Sequence, residues 1–363
     1  MTRKQVALFT CILMIVVTGC SDAAKSQLTP TSASGLTIIP TYTKTPTHIP
    51  ATITPTLSPT VTIVPTSTSS HSFPGQIALR SIGREGDNFG IGLLDFETGN
   101  IKNILPGGGA GSLSWSPDGN WIALDTTQGD SIYAYPNIFV VKVDGTEFKR
   151  LTTDNQSEID LDWSPDGAFI AYAYEKGGSS DVALFRLSDS VSLQITSTKG
   201  YEISPSFSPD GKFLAYVYVE DFRAKVIEIQ LMIMDIESRQ TMPLEVGVPI
   251  ITQKVSWSPD GSTLAFISGS YMDDCGDIYL IKPDGSNLVR LTELPNCATQ
   301  VVWAPDGNYL AFVGRDKKLV GNIENWGWQI YVIDSQGKNF IQITHEKRWT
   351  VHAIDWVFPL TTQ

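Results

Sequence analysis

Few side chains in this sequence could do chemistry, and most of those are acidic. Beyond residue 72 only His345 and His352 could supply an imidazole. Two histidines seven residues apart are too few for a His-rich metal site, so neither a metal nor a cofactor is expected. Asp118, Asp166, Asp210, Asp260 and Asp306 recur at regular distances, each inside a Pro-Asp-Gly triplet. A turn explains them without a metal, because Asp bonds back to the local backbone while Gly takes the left-handed position. No Gly-x-Ser-x-Gly nucleophile turn occurs, which argues against a serine hydrolase. Cys275 and Cys297 have no CxxC or nearby Cys/His spacing that would favour a reactive or metal-binding thiol pair. A disulfide between them is expected, closing a loop that the chain-entropy relation values at about 3 kcal/mol.

Binding residues are easier to nominate. Three positions before the aromatics Trp115, Trp163, Phe207, Trp257, Trp303 and Trp356 stand Ser112, Asp160, Ser204, Lys254, Gln300 and Ala353. With Glu158, Glu202 and His352 nearby, these positions would ring the mouth of a central channel as a polar, mostly acidic funnel. The longer loops at 125–136, 219–228, 268–276 and 314–328 hold Tyr133, Tyr135, Tyr271, Trp326 and Trp328. With Tyr201 they would form an aromatic rim suited to peptide or sugar. The candidate binding face is therefore Glu158, Asp160, Glu202, Lys254, His352, Trp326 and Trp328, with an ordinary solvated loop face as the alternative for any one of them. No catalytic residue is nominated.

The elements that must position these residues come from a repeat. Leu113-Ser-Trp-Ser-Pro-Asp-Gly119 returns as Leu161-Asp-Trp-Ser-Pro-Asp-Gly167, Pro205-Ser-Phe-Ser-Pro-Asp-Gly211, Val255-Ser-Trp-Ser-Pro-Asp-Gly261 and Val301-Val-Trp-Ala-Pro-Asp-Gly307. The Asp residues are spaced by 48, 44, 50 and 46 positions. Such a period, with four strand-like runs in each unit, is that of a β-propeller blade. An inner strand ends in the aromatic, the Pro-Asp-Gly turn follows, and a second strand such as Phe169-Ile-Ala-Tyr172 runs back. A third strand such as Ile278-Tyr-Leu-Ile281 turns at Asp-Gly into an outer strand such as Leu288-Val-Arg-Leu-Thr292. Ile354-Asp-Trp356 copies the inner strand without its turn, and Pro74-Gly-Gln-Ile-Ala-Leu79 supplies a second strand without an inner partner. Joined, they complete a sixth blade and remove open sheet edges. The fold class is all-β, a six-bladed propeller over residues 73–363 closed by strands from both termini. The six aromatics are expected to be blade-to-blade core.

Before this body the composition changes. Arg3 and Lys4 precede an apolar run from Val6 to Thr18 that ends at Gly19-Cys20. This is the anatomy of a secretory signal over residues 1–19, and the run is too short for a bilayer core, which needs about 20 residues. From Leu28 to Ser70 the chain is largely Thr, Pro and Ser, so residues 20–72 should form a disordered, extended stalk. The net charge of the chain is −12, and the residues from 72 onward hold 22 Lys and Arg against 37 Asp and Glu. Such a body disfavours nucleic acid and anionic membrane surfaces, and it concentrates cations or basic partners.

Two resemblances add to this reading. Val17-Thr18-Gly19-Cys20 resembles a bacterial lipobox, although that family more often has Leu where Val17 stands. The likeness implies that Cys20 is lipidated and that the rest of the chain lies on the extracytoplasmic side of a bacterial membrane, at the cell surface or in the periplasm. There the cysteine pair should oxidise. The motif Ser-Pro-Asp-Gly-x-x-(Ile/Leu)-Ala-(Tyr/Phe) resembles the PD40, or WD40-like TolB-type, repeat over about residues 74–358. TolB carries an α/β domain before its propeller where this sequence has the stalk. The expected function is a binding scaffold in the cell envelope, not an enzyme, monomeric, whose partner is an envelope protein, peptide or glycan. The alternative is a polysaccharide-binding or oligogalacturonate-lyase-like protein. Prolyl-oligopeptidase-type enzymes carry related propellers, but the missing nucleophile turn speaks against that class.

Overall fold

The structure is a computed structural model that describes residues 73–358 apart from short segments at 84–89, 97, 107–109, 128–134, 154, 223–226, 252–253, 271–274, 294–295, 317–326 and 346–348. The described residues form twenty-four strands and no helix. They pair into four sheets, two of four strands and two of eight, and each eight-stranded sheet consists of two antiparallel groups of four joined by a single bridge. The first group of four is β1 (Gln76–Gly83), β2 (Ile91–Leu94) and β3 (Ile101–Leu105), with β24 (Trp349–Val357) as its inner strand. The second is β4 (Ala110–Trp115), β5 (Trp121–Thr126), β6 (Asn137–Lys142) and β7 (Phe148–Arg150). The third is β8 (Glu158–Trp163), β9 (Phe169–Lys176), β10 (Ser179–Arg186) and β11 (Val191–Gln194). The fourth is β12 (Tyr201–Phe207), β13 (Phe213–Val219), β14 (Ile229–Asp235) and β15 (Thr241–Leu244). The fifth is β16 (Ser256–Trp257), β17 (Leu264–Ser270), β18 (Cys275–Ile281) and β19 (Val289–Arg290). The sixth is β20 (Asn296–Trp303), β21 (Tyr309–Asp316), β22 (Gln329–Asp334) and β23 (Phe340–Gln342).

Five of the six groups carry the repeated motif at the end of the inner strand, and the motif shows why the chain turns there. Gly119, Gly167, Gly211, Gly261 and Gly307 all adopt φ between +67° and +74°, which L side chains with a Cβ resist. In four of the turns the Ser hydroxyl donates to the Asp carboxylate at 2.5–2.6 Å (Ser116–Asp118, Ser164–Asp166, Ser208–Asp210, Ser258–Asp260). The same hydroxyl accepts the N–H of the first residue of the next strand, as from Trp121 at 2.9 Å. Ala304 takes this position in the last turn and has no hydroxyl to offer.

Strand alternation then joins the groups. Ile77 and Leu79 of β1 pack with Val302, Ala311 and Val332 of the sixth group. Ala78, between them, faces the other way onto Leu113, Ile122 and Phe139 of the second. Each such buried Ile or Leu contributes roughly 1.5–3 kcal/mol. Because both faces of the first group are covered, β2 is buried along its whole length. The inner strands touch in sequence, β4 to β8, β8 to β12, β12 to β16, β16 to β20, β20 to β24, and β24 back to β4. The two chain ends share one sheet, with Ile77 opposite Trp356 and Gln76 opposite Val357.

Cys275 and Cys297 form a disulfide with Cα atoms 5.2 Å apart. The sequence suggests that it closes the open end of one hairpin. Instead Cys297 lies in β20, so the bond staples the fifth group to the sixth, beside the single bridge between Gly276 and Ala298. The chain leaves β19 and enters the next inner strand before reaching the second cysteine.

Candidate functional site

In five of the six groups the residue immediately before the inner-strand aromatic lines one cavity. Asp162, Ser206, Ser256, Val302 and Asp355, from five of the six groups, line a cavity of about 190 Å³ together with Lys254, aromatic rings and Pro209, Pro259 and Pro305. These prolines belong to the Pro-Asp-Gly turns, so the cavity lies at the turn end.

The same positions clasp neighbouring groups. The N–H of Trp115 donates to Asp355 Oδ2 at 2.9 Å, that of Trp163 to Ser114 Oγ at 3.0 Å, that of Phe207 to Asp162 Oδ2 at 2.8 Å and that of Trp303 to Ser256 Oγ at 3.1 Å. Between the fourth and fifth groups the Trp257 indole donates to the Ser206 carbonyl at 3.1 Å. Val302 cannot accept a bond, and at that junction the Gln300 amide serves instead. It donates to the Ile354 carbonyl at 3.1 Å and accepts the Ile354 N–H at 3.0 Å.

Charge in the cavity is unbalanced. Lys254 Nζ is 2.8 Å from Asp162 Oδ1 and 3.5 Å from the Leu161 carbonyl. Burial works against the Lys254 ammonium, but Asp162, Asp355 and Asp160 outweigh it and hold its pKa above the ordinary value. Burial raises the Asp355 carboxyl even though Lys254 and two backbone N–H groups favour its charged form. One ammonium thus faces two carboxylates, among rings and prolines that give a polar group few competing contacts with water. The arrangement can hold a cationic or mixed polar group.

The positions three before the aromatics, expected to line the mouth, are partly diverted into bonds between groups. A β-bulge interrupts β8 and β12 there, and Asp160 and Ser204 take φ of 58° and 55°. Ser204 donates both its N–H, at 3.2 Å, and its hydroxyl, at 3.0 Å, to Asp160. Burial, followed by the nearby Asp125 charge, raises the Asp160 carboxyl to about 6. Ser112 donates its N–H to Asp125 at 2.6 Å and its hydroxyl to the same carboxylate. A Cβ on Gly111 would lie 1.9 Å from Asp125 Oδ2, so only glycine leaves that carboxylate its place. His352 sits beside Arg80, and burial together with that guanidinium lowers its pKa to about 4.

The remaining nominated residues are dispersed. Glu158 is 1% exposed and accepts the Thr152 hydroxyl. Glu202 is equally buried at the junction of the third and fourth groups. Neither opens onto a mouth. Lys254 and Asp160 are close enough to influence each other's charge. Trp328 is half-buried under the Arg315 guanidinium, 4.4 Å from its ring centroid. Tyr201 is buried with Phe222 against it at 4.8 Å, and Tyr135 is exposed. Cys20, Tyr133, Tyr271 and Trp326 lie outside the described residues. Among the described residues no group of three or more His, Cys, Asp or Glu is arranged to hold a metal, and no helix is long and apolar enough to cross a membrane.

Several solved structures share this fold. TolB from Acinetobacter baumannii is 17% identical, with a TM-score of 0.59 over 77% of this chain and 67% of that one. A chain from Agrobacterium tumefaciens described as a TolB is 19% identical, with a TM-score of 0.57 over 80% of this chain and all of the other. A chain of a nidogen/laminin complex is 12% identical, with a TM-score of 0.54 over 77% and 97% of the two chains. No curated protein matches the sequence. The family described as PD40, TolB beta propeller domain, matches residues 75–247 and 194–354. With five Pro-Asp-Gly turns on four-stranded groups, and this match along most of its length, the chain belongs to the PD40 TolB beta propeller family.

Proposed function

We propose that this protein is a lipid-anchored scaffold of the bacterial cell envelope, whose closed six-bladed propeller binds a protein partner through the axial cavity. The observation that carries the reading is the cavity itself, where Asp162 and Asp355 face Lys254 within a wall of aromatic rings and prolines. A residual negative charge there, on a body with 37 acids against 22 bases, favours a basic residue of the partner. Ring closure is supported by the pairing of β1 with β24 and by the unbroken sequence of contacts between inner strands. An extracytoplasmic location fits the signal-like residues 1–19 and the disulfide, a bond that persists in oxidising compartments. Cys20 is the proposed site of lipidation, and residues 20–72 the tether.

A photocrosslinking amino acid at Pro259, on the cavity rim, tests this in host cells producing the full chain. A discrete protein adduct is expected there and not from the same group at Lys338 in the exposed β22–β23 turn. No adduct from Pro259, or equal adducts from both positions, would contradict the proposal.

A further inference from the structure

Four of the six groups share a polar device at the end of the outer strand, opposite the turns. Thr152, Thr196, Thr292 and Thr344 accept the N–H of Ile138, Val182, Ile278 and Ile330 at 2.8–2.9 Å. Two residues earlier, Arg150, Gln194, Arg290 and Gln342 each donate to the carbonyl of that Thr at 2.7–3.0 Å. A buried polar residue, Asn137, Asp181, Asp277 or Gln329, precedes the bonded amide.

The charges of this device balance in the fifth and sixth groups. In the fifth, Arg290 Nη2 is 2.7 Å from Asp277 Oδ2. In the sixth both partners are glutamines. In the second, Arg150 stands at the place of Arg290, with Asn137 and the single acid Glu158. The third group differs. Gln194 replaces the arginine and donates to Asp181 at 3.1 Å, while Glu202 of β12 brings a second acid to the same seam. Asp181 is 6% exposed and Glu202 1%. Asp181 also accepts the Thr198 N–H at 3.2 Å and Glu202 the Thr196 and Thr198 hydroxyls, but neither acid is ion-paired among the described residues and Glu202 Oε2 has no donor. Two adjacent buried carboxylates are costly unless a positive charge or a proton joins them. Ser180 pairs with Tyr201, which sets the next residues Asp181 and Glu202 side by side, and burial followed by both charges pushes the phenol of Tyr174 up to about 12.

We propose that the seam between Asp181 and Glu202 is a binding site for a hard divalent cation of the calcium type, which stands where the fifth group has its arginine. The hydroxyls of Thr196 and Thr198 hydrogen-bond Glu202, so the groups able to ligate an ion are oxygens, while the nitrogens in reach, of the Gln194 amide and the Thr198 backbone, already donate to Asp181. Such a set suits calcium and not zinc or copper. The ion would clip the third group to the fourth at the seam where the single bridge from Ser180 to Tyr201 already joins them. The equivalent seam between the fifth and sixth groups carries the disulfide. With only two acids, the affinity should resemble that of extracellular modules, on the order of 10⁻⁴–10⁻³ M.

The test is a calorimetric titration of calcium chloride into metal-stripped full-length protein, with melting followed in parallel. One saturable ion per chain is expected, with a melting point raised by about 2–4 °C at 10 mM calcium. Gln194→Arg changes an exposed side chain and supplies the missing guanidinium. It should abolish the binding and melt, in chelator, close to the calcium-loaded parent. Glu202→Gln should also lose the ion, and if that variant does not fold, Gln194→Arg decides alone. A parent without a saturable calcium site, or Gln194→Arg that binds as the parent does, would overturn the proposal. Acidification that stabilises a calcium-indifferent parent would overturn it too, and would assign the seam to a shared proton.

Discussion

Asp160→Asn should stabilise the protein at neutral pH. The Asp160 carboxyl has a pKa of about 6 in the folded chain against an ordinary 3.8, chiefly through burial and then through the Asp125 charge. A folded pKa above the unfolded one means that the native state takes up the proton first as pH falls. Stability therefore declines as pH rises from about 4 to 6, and the full cost is present above that range. Two units at 1.36 kcal/mol each set an upper limit of roughly 3 kcal/mol. The partial exposure of Asp160 reduces the expected effect to about 1–2 kcal/mol. Asparagine keeps an acceptor for the Ser204 N–H and hydroxyl, and it tolerates the φ of 58° better than most residues. Urea unfolding of parent and variant at pH 4, 5, 6 and 7.5 is the assay. The variant should be the more stable at pH 7.5, with the difference vanishing by pH 4. A variant less stable at pH 7.5, or a difference independent of pH, would refute the reasoning.

Other changes probe the links between groups. Serine at both Cys275 and Cys297 should cost about 3 kcal/mol, or about 5 °C of melting temperature; equal melting of parent and variant without reductant would count against the staple. Ser114→Ala leaves the Trp163 N–H without its acceptor and should cost about 1–2 kcal/mol by denaturant midpoint. Ala304→Ser gives the last Pro-Asp-Gly turn the hydroxyl that the other four have. It should gain about 0.5–1 kcal/mol in the same assay, and a loss would show that the buried position lacks room.

The strand order was readable because the repeat names its own turns. Pro-Asp-Gly marks where each inner strand ends, and Ile354-Asp-Trp356 identifies β24 as the inner strand that lacks a turn. The site was less readable. Simple alternation places the residues one and three before each aromatic on the same face, and the acidic and polar residues at the latter position point to it as the lining. Bulges at Asp160 and Ser204 break that alternation and turn both residues toward each other. The lining positions were present in every copy of the motif, as Asp162 in Leu-Asp-Trp and Asp355 in Ile-Asp-Trp. Glu158 and Glu202 look like surface acids in the sequence, because nothing local reveals that a threonine from the preceding outer strand waits to bury them. The (Arg/Gln)-x-Thr repeat at 150–152, 194–196, 290–292 and 342–344 carried that information. It is short, and its partners lie in another strand.

The most direct test of the binding proposal uses the cavity's own tryptophans, Trp257, Trp303 and Trp356. Their fluorescence would be followed while a short arginine-containing peptide is added, with a glutamate-containing peptide as control. The parent should give a saturable change with the arginine peptide alone. The double variant Asp162→Asn and Asp355→Asn, which keeps the acceptors for Phe207 and Trp115, should lose it. No saturable change, or the same response to both peptides, would contradict a cavity built to receive a partner's basic residue.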